Sequence, residues 1–155
     1  WCISRLFTIY SFWICFVINI FKKMITTEII KIASNTKNVG LTNNYSYKST
    51  LRNSMCGDKI KLELISSNLK INSMKYETES CIYCEASASL LANKIKNLSI
   101  KNVIKNLILL KNILKNDNNI FPKEFKEFKK LINKKNYKRI NCINLPLEAV
   151  LKALK

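Results

Sequence analysis

The sequence predicts an α+β domain in which a small antiparallel sheet of about three strands packs against several helices. Two observations carry this prediction. The strand patterns come first, between residues 45 and 78, and the helical patterns follow from residue 85 onward. Strands followed by helices are typical of α+β proteins, because a parallel sheet needs the two kinds of element to alternate. A chain of 155 residues, 48% of them apolar, is long enough to bury one core.

The chain begins its folded part with a short helix, a loop and a weak strand pattern. Residues 26–34 (TTEIIKIAS) place three isoleucines at helical spacing and predict a short helix. Residues 35–44 are polar and predict a loop. Residues 45–54 alternate weakly, and we interpret them as a first strand.

A hairpin follows. Residues 59–66 (KIKLELIS) alternate strictly between apolar and polar side chains, which predicts a half-buried antiparallel strand. One face carries Ile60, Leu62 and Leu64, and the other carries Lys59, Lys61 and Glu63. After a short turn, residues 69–78 predict the partner strand.

The remaining patterns are helical. Residues 85–95 (EASASLLANKI) are rich in Ala and Leu, and residues 99–116 repeat apolar side chains at helical spacing. Residues 145–155 predict a last helix, with Pro146 suited to its first turn. The apolar spacing in the second of these helices is carried by Val103, Leu107, Leu110 and Leu114.

A lysine-rich stretch, residues 117–137, lies before the last helix. It places Phe121, Phe125 and Phe128 at helical spacing. Such a stripe of aromatic side chains belongs more often to a core than to a binding face, so we expect these three residues to be buried.

The first 23 residues differ from the rest. Residues 6–21 are almost entirely apolar and are flanked by Arg5 and by Lys22 and Lys23. The run is slightly short for a transmembrane helix and lacks the cleavage site of a signal peptide. We interpret residues 1–23 as upstream reading frame with Met24 as the start. A membrane anchor and a targeting peptide are the alternatives. A cytoplasmic domain over residues 24–155 is expected, with no membrane contact.

The net charge of +17 comes from lysine, since the chain has only three arginines. Ile, Lys and Asn are all abundant, as in proteins from AT-rich genomes. We interpret the charge as a solvated lysine surface and expect no nucleic-acid partner. The alternative is a face that binds polyanions, but these faces usually interleave Arg and aromatic residues with the lysines.

Three cysteines lie where we expect elements to begin or end. Cys56 precedes a strand, Cys81 follows one and precedes a helix, and Cys142 precedes the last helix. Helix N-termini stabilise negative charge, so Cys81 and Cys142 are expected to have lowered pKa values and more thiolate. Without a secretion signal, such cysteines are more often metal ligands or reactive thiols than disulfides.

Asp58 adds a fourth donor. In an extended segment, residues two apart point to the same side, so Cys56 and Asp58 are expected to face one metal ion. Three thiolates and a carboxylate suit zinc. A carboxylate is a harder donor than a thiolate, which favours a site that opens over one that only holds the fold. The chain has no histidine, so no imidazole of its own can serve as a ligand.

The same residues carry a resemblance to a known family. The segments NTKNVG (35–40), MCGDKIKLEL (55–64), SCIYCEASASLL (80–91) and RINCINL (139–145) resemble the U-type iron–sulfur assembly proteins. These are IscU and SufU, and the N-terminal domain of NifU. The resemblance runs from about Ile25 to Leu154. It implies the fold of this family, here with a helical, Lys/Asn-rich insertion over about residues 98–135.

Two features make the chain most similar to the SufU branch. Cys142 lies 61 positions after Cys81, which is longer than the IscU branch has. The residue before the third cysteine is Asn141, where IscU-type proteins have a histidine. Arg139 and Cys142 instead reproduce the Arg-x-x-Cys pattern of SufU-type proteins.

The resemblance implies a zinc-dependent sulfur acceptor. Zinc would be held by Cys56, Asp58, Cys81 and Cys142, and the sulfur donor would be a PLP-dependent, SufS-like cysteine desulfurase. A desulfurase histidine would take over one zinc position, which frees Cys56 to attack the persulfide, and Arg139 would assist this ligand exchange. Cys56 would then pass sulfur to a downstream SUF scaffold or apo acceptor. Whether such a sulfurtransferase-like carrier counts as an enzyme stays open.

Two other functions are alternatives to the sulfur acceptor. The first is a scaffold that assembles a [2Fe–2S] cluster on Cys56, Cys81 and Cys142, with Asp58 keeping the cluster labile. The second is a basic nucleic-acid-binding protein with a structural zinc. The fourth cysteine of this region, Cys84, forms C-x-x-C with Cys81 and is interpreted as a small core residue, with a substitute ligand as the alternative.

Overall fold

Three antiparallel strands form one sheet in the order β1–β2–β3. The structure, a computed structural model, describes residues 26–113 and 120–155. Strand β1 spans Tyr47–Arg52, β2 spans Lys59–Ser67 and β3 spans Lys70–Glu79. Each neighbouring pair is antiparallel. The predicted fold class, three antiparallel strands with several helices, is therefore confirmed.

Helices follow and precede the sheet as the sequence predicts. Helix α1 spans Thr27–Ala33, α2 spans Ile82–Lys94, α3 spans Ile100–Asn112 and α4 spans Ile140–Ala153. Side-chain hydroxyls cap two of them, since Thr26 accepts from the Ile29 amide and Ser99 from the Asn102 amide. The end of the predicted helix over 99–116, with Leu114, lies outside the described residues.

The core lies between one face of the sheet and the helices. The predicted inward face of β2 is confirmed, because Ile60, Leu62 and Leu64 are all fully buried. They belong to the same core cluster as the small, buried Ala86 and Ala88 of α2. Small side chains let α2 lie close to its neighbours. Helix α2 contacts α4, α1 and β3, and so sits at the centre of the helical layer.

The prediction for the last helix was wrong at its start. Pro146 was interpreted as a first-turn residue, but α4 already begins at Ile140 and Pro146 lies inside it. Proline has no N–H, so the Cys142 carbonyl receives no helical hydrogen bond from it. The Ser87 hydroxyl of α2 donates to the next carbonyl, that of Ile143, at 2.7 Å. Tertiary contacts thus hold together a helix that its own sequence would interrupt.

The lysine-rich stretch forms two 3₁₀ helices, Lys123–Lys130 and Lys134–Arg139. Residues three apart lie on the same side of a 3₁₀ helix, so Phe125 and Phe128 both reach the core. Their ring centroids are 5.9 Å apart and both side chains are fully buried, whereas Phe121 is partly buried against the core. The prediction that these aromatic residues are core is confirmed.

Glu63 departs from its predicted place on the polar face of β2, since only 5% of it is exposed. Its carboxylate accepts hydrogen bonds from the Thr42 amide at 2.9 Å and from the Asn43 amide at 3.1 Å. The Thr42 hydroxyl donates to it at 3.2 Å. The loop before β1 therefore folds over this carboxylate, a long-range contact that alternation along one strand does not reveal.

The leader over residues 1–23 lies outside the described residues. Within residues 26–113 and 120–155, every helix lacks the length and apolar character that a bilayer crossing requires.

Candidate metal centre

Cys56 and Asp58 are held by a tight turn before β2. The Asn53 carbonyl accepts from the Gly57 amide at 2.9 Å, and the Asn53 amide donates to the Asp58 carbonyl at 2.7 Å. Gly57 has φ +77°, a conformation that glycine adopts without strain. The segment is thus a turn and not the extended chain that we expected. The expectation that Cys56 and Asp58 face the same point holds, but through the glycine and not through strand alternation.

Cys81 lies at the N-terminus of α2, directly after β3. It is the residue before the first helical turn, with extended φ and ψ of −73° and 161°. Its backbone N–H donates to Asp58 Oδ1 at 3.1 Å. This bond fixes the Asp58 side chain against the start of the helix, and it satisfies one of the helix's unpaired N–H groups.

Cys142 lies inside the first turn of α4, not before the helix as predicted, because that helix starts at Ile140. It is 4% exposed. Three separate parts of the chain, the turn before β2, the start of α2 and the start of α4, therefore bring the predicted site residues together.

Three donor atoms converge closely. One ligand atom from each of Cys56, Asp58 and Cys142 lies within 4.8 Å of the other two. The two sulfur atoms, Cys56 Sγ and Cys142 Sγ, are 3.5 Å apart. The Cys81 thiol is not part of this trio, but it interacts with both Asp58 and Cys142. The sequence prediction placed all four residues in one site, and the geometry brings three together with the fourth beside them.

The second oxygen of Asp58 has no hydrogen-bond partner. Asp58 is only 6% exposed, and its buried Oδ2 accepts no hydrogen bond from the residues that the structure describes. A buried, unpaired oxygen costs about 1–3 kcal/mol. A cation among these thiols would supply the missing partner, so the donors present fit a metal ion. Two or three thiolates with one carboxylate suit zinc or an iron–sulfur cluster.

The pKa values of the thiols differ from the expectation. Burial raises the pKa of Cys81, and burial with the neighbouring Cys56 and Cys81 thiols raises that of Cys142. The expected lowering by helix N-termini is therefore wrong for the chain without metal. Desolvation disfavours a thiolate more than the partial charge of a helix end favours it. A bound cation would favour the thiolate forms of Cys81 and Cys142.

Cys84 does not belong to the cluster of donor atoms formed by Cys56, Asp58 and Cys142. Its side chain is fully buried, and burial raises its pKa to about 12. A thiol of that kind is inert at neutral pH, as expected for the core residue that the sequence suggested.

Arg139 lies at the edge of the site. It is the residue that precedes α4, and its side chain is exposed. Burial raises the pKa of Tyr83, and the nearby charge of Arg139 partly offsets that rise. Arg139 does not belong to the converging donors.

Sequence reasoning missed Met55, which is 81% exposed directly beside Cys56. The Asn141 amide donates toward its sulfur at 3.5 Å. Asn141, which stands where the related branch has histidine, therefore supports the turn that carries Cys56. In the sequence, Met55 could have been noticed because it is an apolar residue within an otherwise polar turn.

Known structures share this fold. The N-terminal NifU-like protein of Brucella abortus is 18% identical, with a TM-score of 0.77, over 86% of this chain and 93% of that one. A putative iron–sulfur cluster assembly scaffold protein for the SUF system from Fervidobacterium islandicum is 21% identical. Its TM-score is 0.78, over 86% of this chain and 98% of that one. No curated protein sequence matches this chain.

The family assignment comes from the sequence itself. The family model described as the NifU-like N terminal domain matches residues 24–155. The matched range contains every residue of the site, including Cys56, Asp58, Cys81 and Cys142. The resemblance found in the cysteine motifs is thereby confirmed, and this chain belongs to the NifU-like N-terminal domain family.

Proposed function

We propose that this chain acts in iron–sulfur cluster assembly as a zinc-holding sulfur acceptor for a PLP-dependent cysteine desulfurase. The family supports the assembly role. The single observation that carries the finer proposal is the buried, unpaired Asp58 Oδ2 among the sulfur donors of Cys56 and Cys142. A bound cation would give this oxygen the partner that it lacks among the described residues.

The four residues have unequal access to a partner. Cys56 is exposed, whereas Asp58 and Cys142 are buried and Cys81 is half-buried. Zinc at this point would hold the sulfurs as thiolates while keeping them unreactive. Of the four cysteines that the structure describes, Cys56 is the only one classed as exposed, so it is the proposed acceptor. The other three residues are proposed as ligands that stay in place.

The proposed transfer is a thiol–persulfide exchange. The Cys56 thiolate attacks the outer sulfur of the desulfurase persulfide, and a new sulfur–sulfur bond forms on Cys56. The sulfur–sulfur bond of the desulfurase breaks, and its cysteine leaves as a thiolate. No net oxidation occurs, since one persulfide replaces another. The carrier then delivers this sulfur to a downstream SUF scaffold or apo acceptor.

Arg139 is proposed to assist the exchange at the rim of the site. Its side chain is exposed three residues before Cys142, and a guanidinium at this rim would stabilise the anionic persulfide of an incoming partner.

A second function has its own support. The Fervidobacterium protein with the same fold is named a putative scaffold for the SUF system. In this chain, the convergence of Cys56 and Cys142 beside Cys81 also suits a [2Fe–2S] cluster as cargo. In this reading, Asp58 keeps the cluster labile.

One experiment separates the two functions. The purified chain is analysed for zinc, iron and sulfide, and its effect on the turnover of a cysteine desulfurase is measured. Cys56→Ala is compared with Cys84→Ala, the matched control for loss of a thiol. About one zinc per chain and stimulation lost only in Cys56→Ala support the sulfur acceptor. Iron and sulfide in the protein, without stimulation of the desulfurase, support the scaffold. A chain that contains neither zinc nor iron would contradict both functions.

A further inference from the structure

A groove of positive charge lies beside the metal centre. The cleft has a volume of ≈390 Å³, and its lining includes Lys130, Lys135, Lys138 and Arg139. We call it the basic groove. None of its lining residues is acidic. The 3₁₀ helix Lys134–Arg139 supplies three of the four cations.

Three of the four cations of the basic groove are available to a ligand, and the fourth has a carboxylate partner. Lys130 reaches Glu28, whose carboxylate lies 3.5 Å away. Among the described residues, no carboxylate lies within 4.0 Å of the charged groups of Lys135, Lys138 or Arg139. The net charge of +17 adds a long-range attraction for any anionic partner.

Hydrogen bonds of Asn133 and Asn136 hold the backbone of the basic groove in place. The Asn133 side chain accepts from the Lys135 and Asn136 amides at 3.0 and 3.2 Å. The Asn136 side chain donates to the Leu131 carbonyl at 2.9 Å. These bonds fix the backbone that carries the lysines, so the charges are presented from a preorganised surface, which lowers the entropic cost of docking.

The basic groove leads to the metal centre. Arg139 comes directly before α4 and Cys142 three residues later, so their Cα atoms lie about 5 Å apart along the helix. Tyr83, which also lines the groove, follows Cys81 by two residues. Two lining residues of the basic groove, Tyr83 and Arg139, thus lie within three positions of the proposed ligands Cys81 and Cys142.

We propose that an acidic segment of the partner protein, rich in Asp and Glu, docks in the basic groove and positions that partner's sulfur at Cys56. The identity of the partner rests on the proposed function. A peptide suits the groove better than single-stranded RNA. RNA-binding surfaces stack bases on exposed aromatic rings. The one aromatic residue that lines this groove, Tyr83, is 6% exposed. Tyr137, which is 63% exposed on the same 3₁₀ helix as the lysines, does not line the groove.

The test uses the full chain and a short fluorescent peptide in which Glu alternates with Ser, with a Gln-for-Glu peptide as its uncharged partner. The groove variant is Lys135→Glu with Lys138→Glu. The control variant is Lys101→Glu with Lys105→Glu, two exposed lysines of α3. Both variants change the net charge by the same amount. Binding is measured by anisotropy at several salt concentrations, with bound zinc measured in each sample.

The proposal expects the groove variant to bind the Glu peptide about tenfold or more weakly at low salt. The control variant is expected to change affinity by less than about twofold, and the Gln peptide not to bind. Equal losses in both variants would mean general charge attraction and overturn the proposal. So would groove-dependent binding of a single-stranded RNA probe that the Glu peptide does not displace.

The zinc readout separates this proposal from the proposed function. If the chain holds zinc but does not bind the Glu peptide, only the proposal of docking in the basic groove is overturned. Peptide binding without zinc or desulfurase stimulation leaves the groove intact and contradicts the sulfur-acceptor function.

Discussion

We predict that Asp58→Asn is more stable than wild type without metal and less stable than wild type with zinc. Asn keeps the oxygen that accepts from the Cys81 amide, and it replaces the buried, unpaired Oδ2 by an NH₂ group. The NH₂ group has two sulfur atoms nearby as weak acceptors. Relief of an unsatisfied buried oxygen is expected to raise the free energy of unfolding by about 1 kcal/mol without metal. The corresponding rise in Tm is about 2–4 °C.

When zinc is bound, the same substitution is expected to lower the free energy of unfolding relative to wild type, because it removes a metal ligand. Removal of residues that merely support metal ligands costs about 10–100-fold in affinity, so loss of a ligand is expected to cost at least about 100-fold. At free zinc 100-fold above the wild-type Kd, wild type gains about 2.7 kcal/mol and the variant about 0.4 kcal/mol. Wild type then becomes more stable than Asp58→Asn by roughly 1.3 kcal/mol.

Denaturant unfolding of the full chain, in chelator and in buffered zinc, measures both differences. Glu63→Gln is the matched control, because both oxygens of that buried carboxylate already accept hydrogen bonds. It should cost about 1–3 kcal/mol in chelator and leave the zinc increment unchanged. The reasoning is refuted if Asp58→Asn is destabilised in chelator and gains as much from zinc as wild type.

The other predictions concern the thiols. Zinc affinity should rise with pH, and continue to rise past 9.0, the ordinary thiol pKa, because burial raises the pKa of Cys81 and Cys142 and protons compete with the metal below those values. Titrations of zinc at several pH values check this, and a flat profile would contradict it. Oxidised glutathione should join Cys56 to Cys142 in the metal-free chain, since their sulfurs are 3.5 Å apart. Mass spectrometry of peptides detects the bridge, and bound zinc should prevent it. Cys84→Ala should keep its zinc and lose about 1 kcal/mol of stability, whereas Cys142→Ser should lose zinc. Metal analysis that gave the opposite order would assign Cys84 to the site.

Local patterns predicted most of the fold. Strict alternation identified β2 and its buried face, and helical spacing identified α3. The start of α4 was missed, because Pro146 in isolation signals a first turn. In the folded chain the Ser87–Ile143 hydrogen bond joins α2 to α4 beside the carbonyl that the proline leaves unpaired. Burial of Glu63 was missed for the same reason, since its partners lie 20 residues away in sequence.

The sequence predicted that Cys56, Asp58 and Cys142 come together, and their donor atoms do converge in the structure. Their role as metal ligands stays a prediction. The direction of the pKa shifts was wrong, because a helix N-terminus is visible in sequence and the burial of Cys142 is not. The basic groove was missed because its lysines were interpreted as solvated surface. Only the fold shows that three of them face one cleft next to the metal centre.

Mass spectrometry of Cys56 is the most direct test of the central claim. The zinc-loaded chain is incubated with a cysteine desulfurase and cysteine, and each cysteine peptide is examined for one added sulfur atom. The account predicts a persulfide on Cys56, and none on Cys84 or in Cys56→Ala. A persulfide that appears first on Cys81 or Cys142, or no persulfide while the desulfurase is active, would contradict it.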